Sequence, residues 1–497
     1  MSKFLKQEKI FKYLSLAILI TGGITRLVIF LQNRSLFLDE ANLARNVVEK
    51  SPEAFFKALD YEQYAPPLFL LIQKFNVWWL GASEYAVRFF PLVAGLISLF
   101  LLYKIALKFI KPGPGLVFIL FVFSFSEYFL HFGTEGKQYS SDVMFALLLI
   151  HEALKDHARF TATTFLKWTI LGIVVIWFSM PSVFILAGVG IYLFAIQFLK
   201  KEKKNLMAIG TMIVLWLVSF IQYYFKILSA DLNSDYLQNF HAPYFLPLIP
   251  TSGGDLSRIM EILGSVLSTS VGHTAIALIT GLVSTIVGAW VVYKNDRKKW
   301  LLLLIPVFAV FGASAFRQYS LIPRLTLFFI PVVILLAGIG IQRLFDVKKI
   351  WLTLVFSILI LGTLAIHDGV KYLWKPYQIE EIRLVLDQVS LEAEKDDLLY
   401  INHSAKPAFS FYSGLHKNKS KYKFDNVVFG DWRLNPETNQ LRIGDQPADR
   451  VWVIYSHLIS EQASIEQEKE MSVLLEGFKV VKKISFTGAQ AILLERD

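Results

Sequence analysis

Between residues 11 and 367 the chain alternates long apolar stretches with short basic runs, a pattern no soluble core can absorb. A helix needs roughly 20 apolar residues to cross a bilayer. The candidate spans are 11–31, 84–107, 114–131, 139–154, 165–180, 182–199, 205–227, 270–293, 300–316, 322–343 and 350–367. Only 18% of the 497 residues are charged, whereas a soluble domain carries about 25%. The fold expected is an all-α polytopic membrane protein of about 11 transmembrane helices, followed by a small C-terminal α/β domain.

The charges orient these spans. Lys3, Lys6, Lys9 and Lys12 precede the first span, and no small-residue cleavage site follows it, so it reads as an uncleaved anchor with its basic end in the cytoplasm. Counting from there, the regions assigned to the cytoplasm include 104–112, 155–167, 200–204, 294–299 and 346–349. Together with the N-terminus they carry roughly four Lys or Arg for each Asp or Glu, as the positive-inside rule requires. Residues 66–81 are read as an outer-surface helix begun by Pro66-Pro67, with Phe69, Phe75, Trp78 and Trp79 suited to the interface. The outer loops are then 32–83 and 228–268. The location expected is the cell (inner) membrane, with the N-terminus cytoplasmic and the C-terminal domain extracytoplasmic. The net charge of +10 belongs to the basic loops and implies membrane lipids, not nucleic acid, as partner. Cysteine is absent, which excludes disulfides, thiol nucleophiles and Cys-ligated metals.

The composition changes after residue 370, dividing the chain into a membrane domain, 1–370, and a soluble domain, 371–497. In the latter, Glu380–Glu394 has helical periodicity, 398–401 and 451–455 read as buried strands, 459–475 as a helix, and 478–486 with 489–495 as a closing strand pair. Gly430, Gly444 and Gly477 read as turns.

Within so apolar a chain, polar residues at the outer ends of the spans form the chemical inventory. Asp39, Glu40 and Arg45 follow the first span. Glu135 to Asp142 join the third and fourth, and Arg317, Tyr319 and Arg324 lie between the ninth and tenth. The loop 228–268 adds Asp231, Asp235, His241 and Arg258. Carboxylates converging with Lys and Arg at one membrane face suit a phosphate-bearing lipid substrate and an activated hydroxyl or amine. No Ser/His/Asp arrangement, phosphate-binding Walker loop or His-x-x-x-His spacing occurs.

One ordered set of motifs goes further. Leu38-Asp39-Glu40 is followed by Pro66-Pro67-Leu68, then Gly81-Ala82-Ser83-Glu84-Tyr85-Ala86-Val87-Arg88, then Lys137-Gln138-Tyr139 with Asp142, and finally Tyr319, Arg324 and Pro331. Over residues 10–345 this resembles the C-type membrane glycosyltransferases of the protein O-mannosyltransferase and aminoarabinose transferase family. The resemblance implies transfer of a sugar from a polyprenyl-phosphate carrier to an envelope acceptor at the outer membrane face. It also matches the family's first-loop acid to Asp39 and its second-loop acid to Asp142. Tyr64-Ala65 stands before Pro66 where family members carry Glu-Lys or His, so neither of their acceptor classes carries over.

The residues themselves fit such chemistry. A sugar on a phosphate has a good leaving group, so the step needs a base at the acceptor and cations at the departing phosphate. Asp39 is assigned as base, with Glu40 and Asp142 as further catalytic carboxylates. Lys137 and Arg324 are assigned to the phosphate, with Arg88 and Arg317 as weaker candidates. Tyr64, Tyr139, Tyr319 and His241 are candidate substrate contacts. No cofactor or metal ligand set is expected, although the adjacent carboxylates leave room for a divalent cation.

Each residue also has an ordinary structural use. Asp39 and Asp142 can cap helices, Glu40 suits a first helical turn, and Lys137 and Arg324 can anchor at the interface. Arg88 can pair with Glu84 at i,i+4, Tyr139 can join an aromatic belt, and His241 can be a plain loop residue. The competing function is a transporter or flippase of a charged glycolipid. It calls for charge at mid-span, where Arg26 is the one clear candidate.

Overall fold

The computed structural model describes residues 2–155, 160–229, 235–272, 274–346, 377–431, 437–438 and 448–497. The expected span at 350–367, the basic pair Lys348-Lys349, Asp231 and Gly444 lie outside these residues. The first helices are α1 (Ser2–Leu31), α2 (Leu38–Glu49), α3 (Pro67–Leu80), α4 (Glu84–Ala106), α5 (Pro114–Phe125), α6 (Glu127–Phe132), α7 (Tyr139–Ala153), α8 (Ala162–Phe178), α9 (Ser182–Leu199) and α10 (Lys203–Tyr223). Later helices include Gly253–Val271, Ala275–Asn295, Arg297–Ala315 and Ile330–Asp346.

Among the described residues, six helices are long and apolar enough to cross a membrane, and α5 and α8 are shorter apolar helices. The described residues of 228–268, expected as a loop, are largely helical. Gly253–Val271 begins with a capping box in which Ser252 and Asp255 exchange side-chain bonds to each other's backbone N–H.

Helix pairs meet where small residues let backbones approach. A Cβ on Gly340 would lie 2.0 Å from the Ser284 carbonyl, so Ile330–Asp346 and Ala275–Asn295 pack closely only because glycine stands there. Proline in a helix frees the carbonyl four residues back. Pro91 in α4 frees that of Val87, and the Gln73 amide of α3 donates to it at 2.7 Å. This bond ties the surface helix α3 to the bundle, while Trp78 and Trp79 of α3 stay exposed.

The third span expected is broken into α5 and α6 at Ser126. Carbonyls at the end of a helix lack intrahelical donors. Arg26, buried in α1, supplies them, donating to Phe123 O at 2.8 Å and Ser124 O at 3.0 Å. Its guanidinium thus serves as a helix C-cap reaching across from a neighbouring helix.

The C-terminal domain is a five-stranded sheet in the order β2-β1-β3-β5-β4, with β1 Leu398–Ile401, β2 Asn426–Phe429, β3 Arg450–Tyr455, β4 Phe478–Phe486 and β5 Ala489–Arg496. β1 runs parallel to β2 and β3, and β5 antiparallel to β3 and β4. Helix Ile382–Glu392 packs with Trp452 and Ile454 on one face, and Glu461–Leu474 contributes Met471 and Leu474 to the other. Such two-sided burial makes β1 and β3 continuous apolar runs, whereas the edge strand β4 carries Lys479, Lys482 and Lys483. Four of the strands match the sequence reading; β2 does not appear in it. Leu36, Ala41, Ala44 and Val87 belong to the same apolar cluster as Ile382, Trp452 and Ile454, so the sheet domain is seated on the head of α2.

Candidate functional site

Asp39 and Glu40 open α2, and at 3.6 residues per turn neighbouring side chains diverge by about 100°. Glu40 turns inward and is fully buried. It accepts from Arg88 Nε at 2.8 Å and Nη2 at 2.5 Å, from the Gly136 N–H at 2.6 Å, and from the Phe37 N–H at 3.4 Å. Burial alone would raise its pKa, but the Arg88 charge and hydrogen bonds outweigh that and hold it at about 2. Arg88 also donates to the carbonyls of Arg34 at 2.6 Å and Ser35 at 2.9 Å.

The expected Arg88–Glu84 pair does not form. Glu84 instead receives Arg383, Tyr412 and His416 from the C-terminal domain. Arg88 and Glu40 thus make one closed ion pair that locks the chain's path into α2, set apart from the open side of that helix.

Asp39 turns the other way and keeps 27% of its side chain exposed, facing Arg324 Nη1 at 3.3 Å. Burial pushes its carboxyl up, yet Lys137 and Arg324 more than offset this and leave it below the usual carboxylate range. Lys137 is buried just before α7, and its ammonium donates to the neutral Gln63 amide oxygen. Burial pushes Lys137 below the usual lysine range, and Asp39 draws it part of the way back. Arg324 is presented by the turn at Pro323, which the Tyr319 hydroxyl closes by donating to Leu325 O at 2.7 Å. Its guanidinium lies over Phe240, 5.6 Å from the ring centre.

The remaining candidates fall around this triad. Tyr139 is buried edge-on to Phe132. Tyr64 shares a hydroxyl–hydroxyl bond with Tyr223, and its carbonyl accepts from Gln138 at 3.4 Å. Asp142, in the first turn of α7, is buried with its Oδ1 unpartnered. His241 ends the short helix Asp235–His241; burial and Arg324 lower its pKa to about 4, so it is neutral at pH 7. Arg317 is exposed with its guanidinium over Phe245, and Arg45 stacks on Tyr61. The structure therefore gathers Asp39, Lys137 and Arg324, with Tyr139 and Asp142 behind them, and directs Glu40 and Arg88 elsewhere.

Two residues here have no signal in the sequence: Gln63 holds Lys137, and His457 comes from the C-terminal domain into the field of Asp39. Glu135, already marked in the sequence, is buried against His131 at 2.6 Å. Among the described residues no three His, Asp or Glu side chains converge as a metal site requires. Asp39 and Glu40 point apart, so they do not form a shared cation site.

No protein-family model and no curated protein matches the sequence. Among solved structures, the chain is similar to the archaeal oligosaccharyltransferase AglB from Archaeoglobus fulgidus, in complex with an inhibitory peptide and a dolichol-phosphate. The TM-score is 0.53 at 10% identity, covering 97% of this chain and 74% of that one. It is also similar to ArnT from Cupriavidus metallidurans in the apo state, with a TM-score of 0.52 at 12% identity over 96% of this chain and 97% of that one. The same protein bound to undecaprenyl phosphate gives 0.51 at 12% identity over the same shares. At such identities the likeness is one of architecture: this chain has the fold of the C-type membrane glycosyltransferases.

Proposed function

We propose that the protein is an inverting glycosyltransferase that moves a sugar from a polyprenyl-phosphate carrier to an envelope acceptor on the extracytoplasmic face. The observation that carries this reading is a part-open carboxylate, Asp39, set against two cations, Lys137 and Arg324, at one end of the helices. Solved structures of the same fold, AglB and ArnT, hold a dolichol-phosphate and undecaprenyl phosphate.

In the reaction, the acceptor oxygen attacks the anomeric carbon while its proton passes to the Asp39 carboxylate. The bond from that carbon to the phosphate oxygen breaks, and its electron pair leaves with the phosphate. Arg324 and Lys137 balance the charge that develops there. The triad couples the two substrates. Both cations depress Asp39 in the free protein, so a bound phosphate that engages them raises its basicity as the donor arrives. Asp142, with Tyr139 and Tyr319 nearby, orients the acceptor. Glu40 and Arg88 hold the head of α2 and touch neither substrate. The flippase reading gains nothing from Arg26, whose guanidinium is engaged by helix-end carbonyls.

The test is transfer from a radiolabelled polyprenyl-phosphate sugar by purified Asp39→Asn protein. The amide keeps size and most hydrogen bonding but cannot take the proton, so the rate falls by about 10²–10⁴-fold with donor binding retained. Full activity in that variant would remove Asp39 as base, and translocation without turnover by the wild type would favour the flippase.

A further inference from the structure

The approach to α2 is unusual in where its backbone donors go. The N-terminal N–H groups of a helix lack intrahelical acceptors, and Ser, Thr, Asp or Asn normally supplies one at the N-cap. Here the N-cap is Phe37, whose side chain has no acceptor. The C-terminal domain supplies acceptors to the stretch of chain leading into α2 and to its first helical N–H. Ser35 N–H donates to Glu381 Oε2 at 3.2 Å, and Leu36 N–H to the Tyr412 hydroxyl at 2.8 Å. Leu38 N–H, at the first helical position, donates to Glu380 Oε2 at 3.2 Å. Only the Phe37 N–H, which goes to Glu40, is satisfied from within the segment.

Glu380 is itself tightly held. Its side chain is fully buried, Oε2 accepts from Ser456 Oγ at 3.1 Å, and Oε1 meets His457 Nδ1 at 2.6 Å. His457 lies just beyond β3 with φ +61, the left-handed region in which His, Asn and Asp are enriched among residues other than glycine. The turn is anchored by Leu458 N–H to Gly488 O at 3.1 Å.

We propose that Glu380, clamped by Ser456 and His457, is a positioning residue that caps α2 from the C-terminal domain and thereby sets the Asp39 carboxylate one residue further on. The inference rests on Asp39 being the base. It gives the soluble domain a part in the reaction, because without it the Leu38 N–H at the head of α2 lacks its acceptor and Asp39 loses its register with Lys137 and Arg324. His457 is also within electrostatic reach of Asp39.

The experiment uses full-length protein in detergent micelles, with amide hydrogen exchange read by mass spectrometry beside transfer kinetics. In E380A, exchange over residues 37–41 should quicken by about 2- to 30-fold, the range for losing a helix cap, and kcat should fall. The KM for the donor should stay unchanged, since Lys137 and Arg324 are intact. E380Q, which retains an acceptor oxygen for Leu38 N–H, should recover part of the rate. If E380A also loses protection over 398–401 and 450–455, the domain itself has opened. S456A and H457Q, which leave Glu380 in place, then decide, and unaltered exchange and kcat in both overturn the proposal. Unaltered kcat and exchange at 37–41 in a folded E380A overturn it as well. Activity surviving Asp39→Asn removes the base reading instead, and the exchange data still report on the clamp.

Discussion

Replacing Arg88 with Met should destabilise the protein without touching donor chemistry. The Arg88 side chain is 2% exposed and that of Glu40 is 0% exposed, so Arg88→Met strands a carboxylate with no solvent to receive it. Removing one partner of a buried ion pair costs about 3–5 kcal/mol. Glu40 keeps the Gly136 and Phe37 N–H groups, while the carbonyls of Arg34 and Ser35 lose their donor, so the losses partly offset and the same range holds. The double variant Glu40→Leu with Arg88→Met should recover much of this, since apolar replacement of a whole buried pair is often tolerated. Recovery should be incomplete by about 1–3 kcal/mol, because the backbone groups the pair satisfied are left open. The assay is the thermal unfolding midpoint in detergent, set beside equilibrium binding of a polyprenyl-phosphate sugar. An unchanged midpoint with weakened donor binding in Arg88→Met would refute the reasoning and return Arg88 to the phosphate site.

Lys137→Ala and Arg324→Ala should each weaken donor binding by about tenfold to a hundredfold, the equivalent of one charge-assisted hydrogen bond of roughly 1.5–3 kcal/mol; titration of each variant with the donor checks this. The same variants should move the acid limb of kcat/KM. The cations hold Asp39 below the usual carboxylate range, so its basic form is present above that lowered pKa and is lost as pH falls through it. Removing Lys137 or Arg324 raises the pKa and shifts the limb to higher pH, which a pH–rate profile in the free-enzyme regime reads directly. Cysteines placed at the exposed positions Lys57 and Gly414 should label together with an impermeant thiol reagent on intact cells, and one at Glu202 should not. Labelling of Lys57→Cys and Gly414→Cys from opposite sides would contradict the seating of the sheet domain on α2.

Much of the architecture is legible in the chain, because it depends on local composition. Apolar stretches must become helices where no water satisfies the backbone, and α1, α4 and α7 to α10 lie close to the stretches marked for them. In the C-terminal domain the runs 398–401, 451–455, 478–486 and 489–495 are strands because short runs rich in apolar and β-branched residues, bounded by turns, are written locally. β2 escapes notice because Asn426–Phe429 is short and only partly buried. The long helix Gly253–Val271 escapes because its polar and apolar residues interleave, which reads as a loop until a membrane or a neighbour supplies the second face.

The candidate site divides along the same line. Asp39, Lys137 and Arg324 could be marked from sequence, since charge at the end of an apolar span is costly and therefore informative. Their grouping could not, nor could the separation of Asp39 from Glu40, which share every sequence property that singled them out. A helical turn sends one carboxylate to Lys137 and Arg324 and the other to Arg88, and only the packing of α2 against α4 says which goes where. Glu380 and His457 lie still further from the reach of sequence. Nothing near them marks a role, because the donors they serve belong to backbone at the other end of the chain. Local chemistry determined which segments are apolar, which charges are exceptional and where strands begin. The tertiary structure decided which charges meet, since electrostatic pairing acts through space and the sequence orders residues only along the chain.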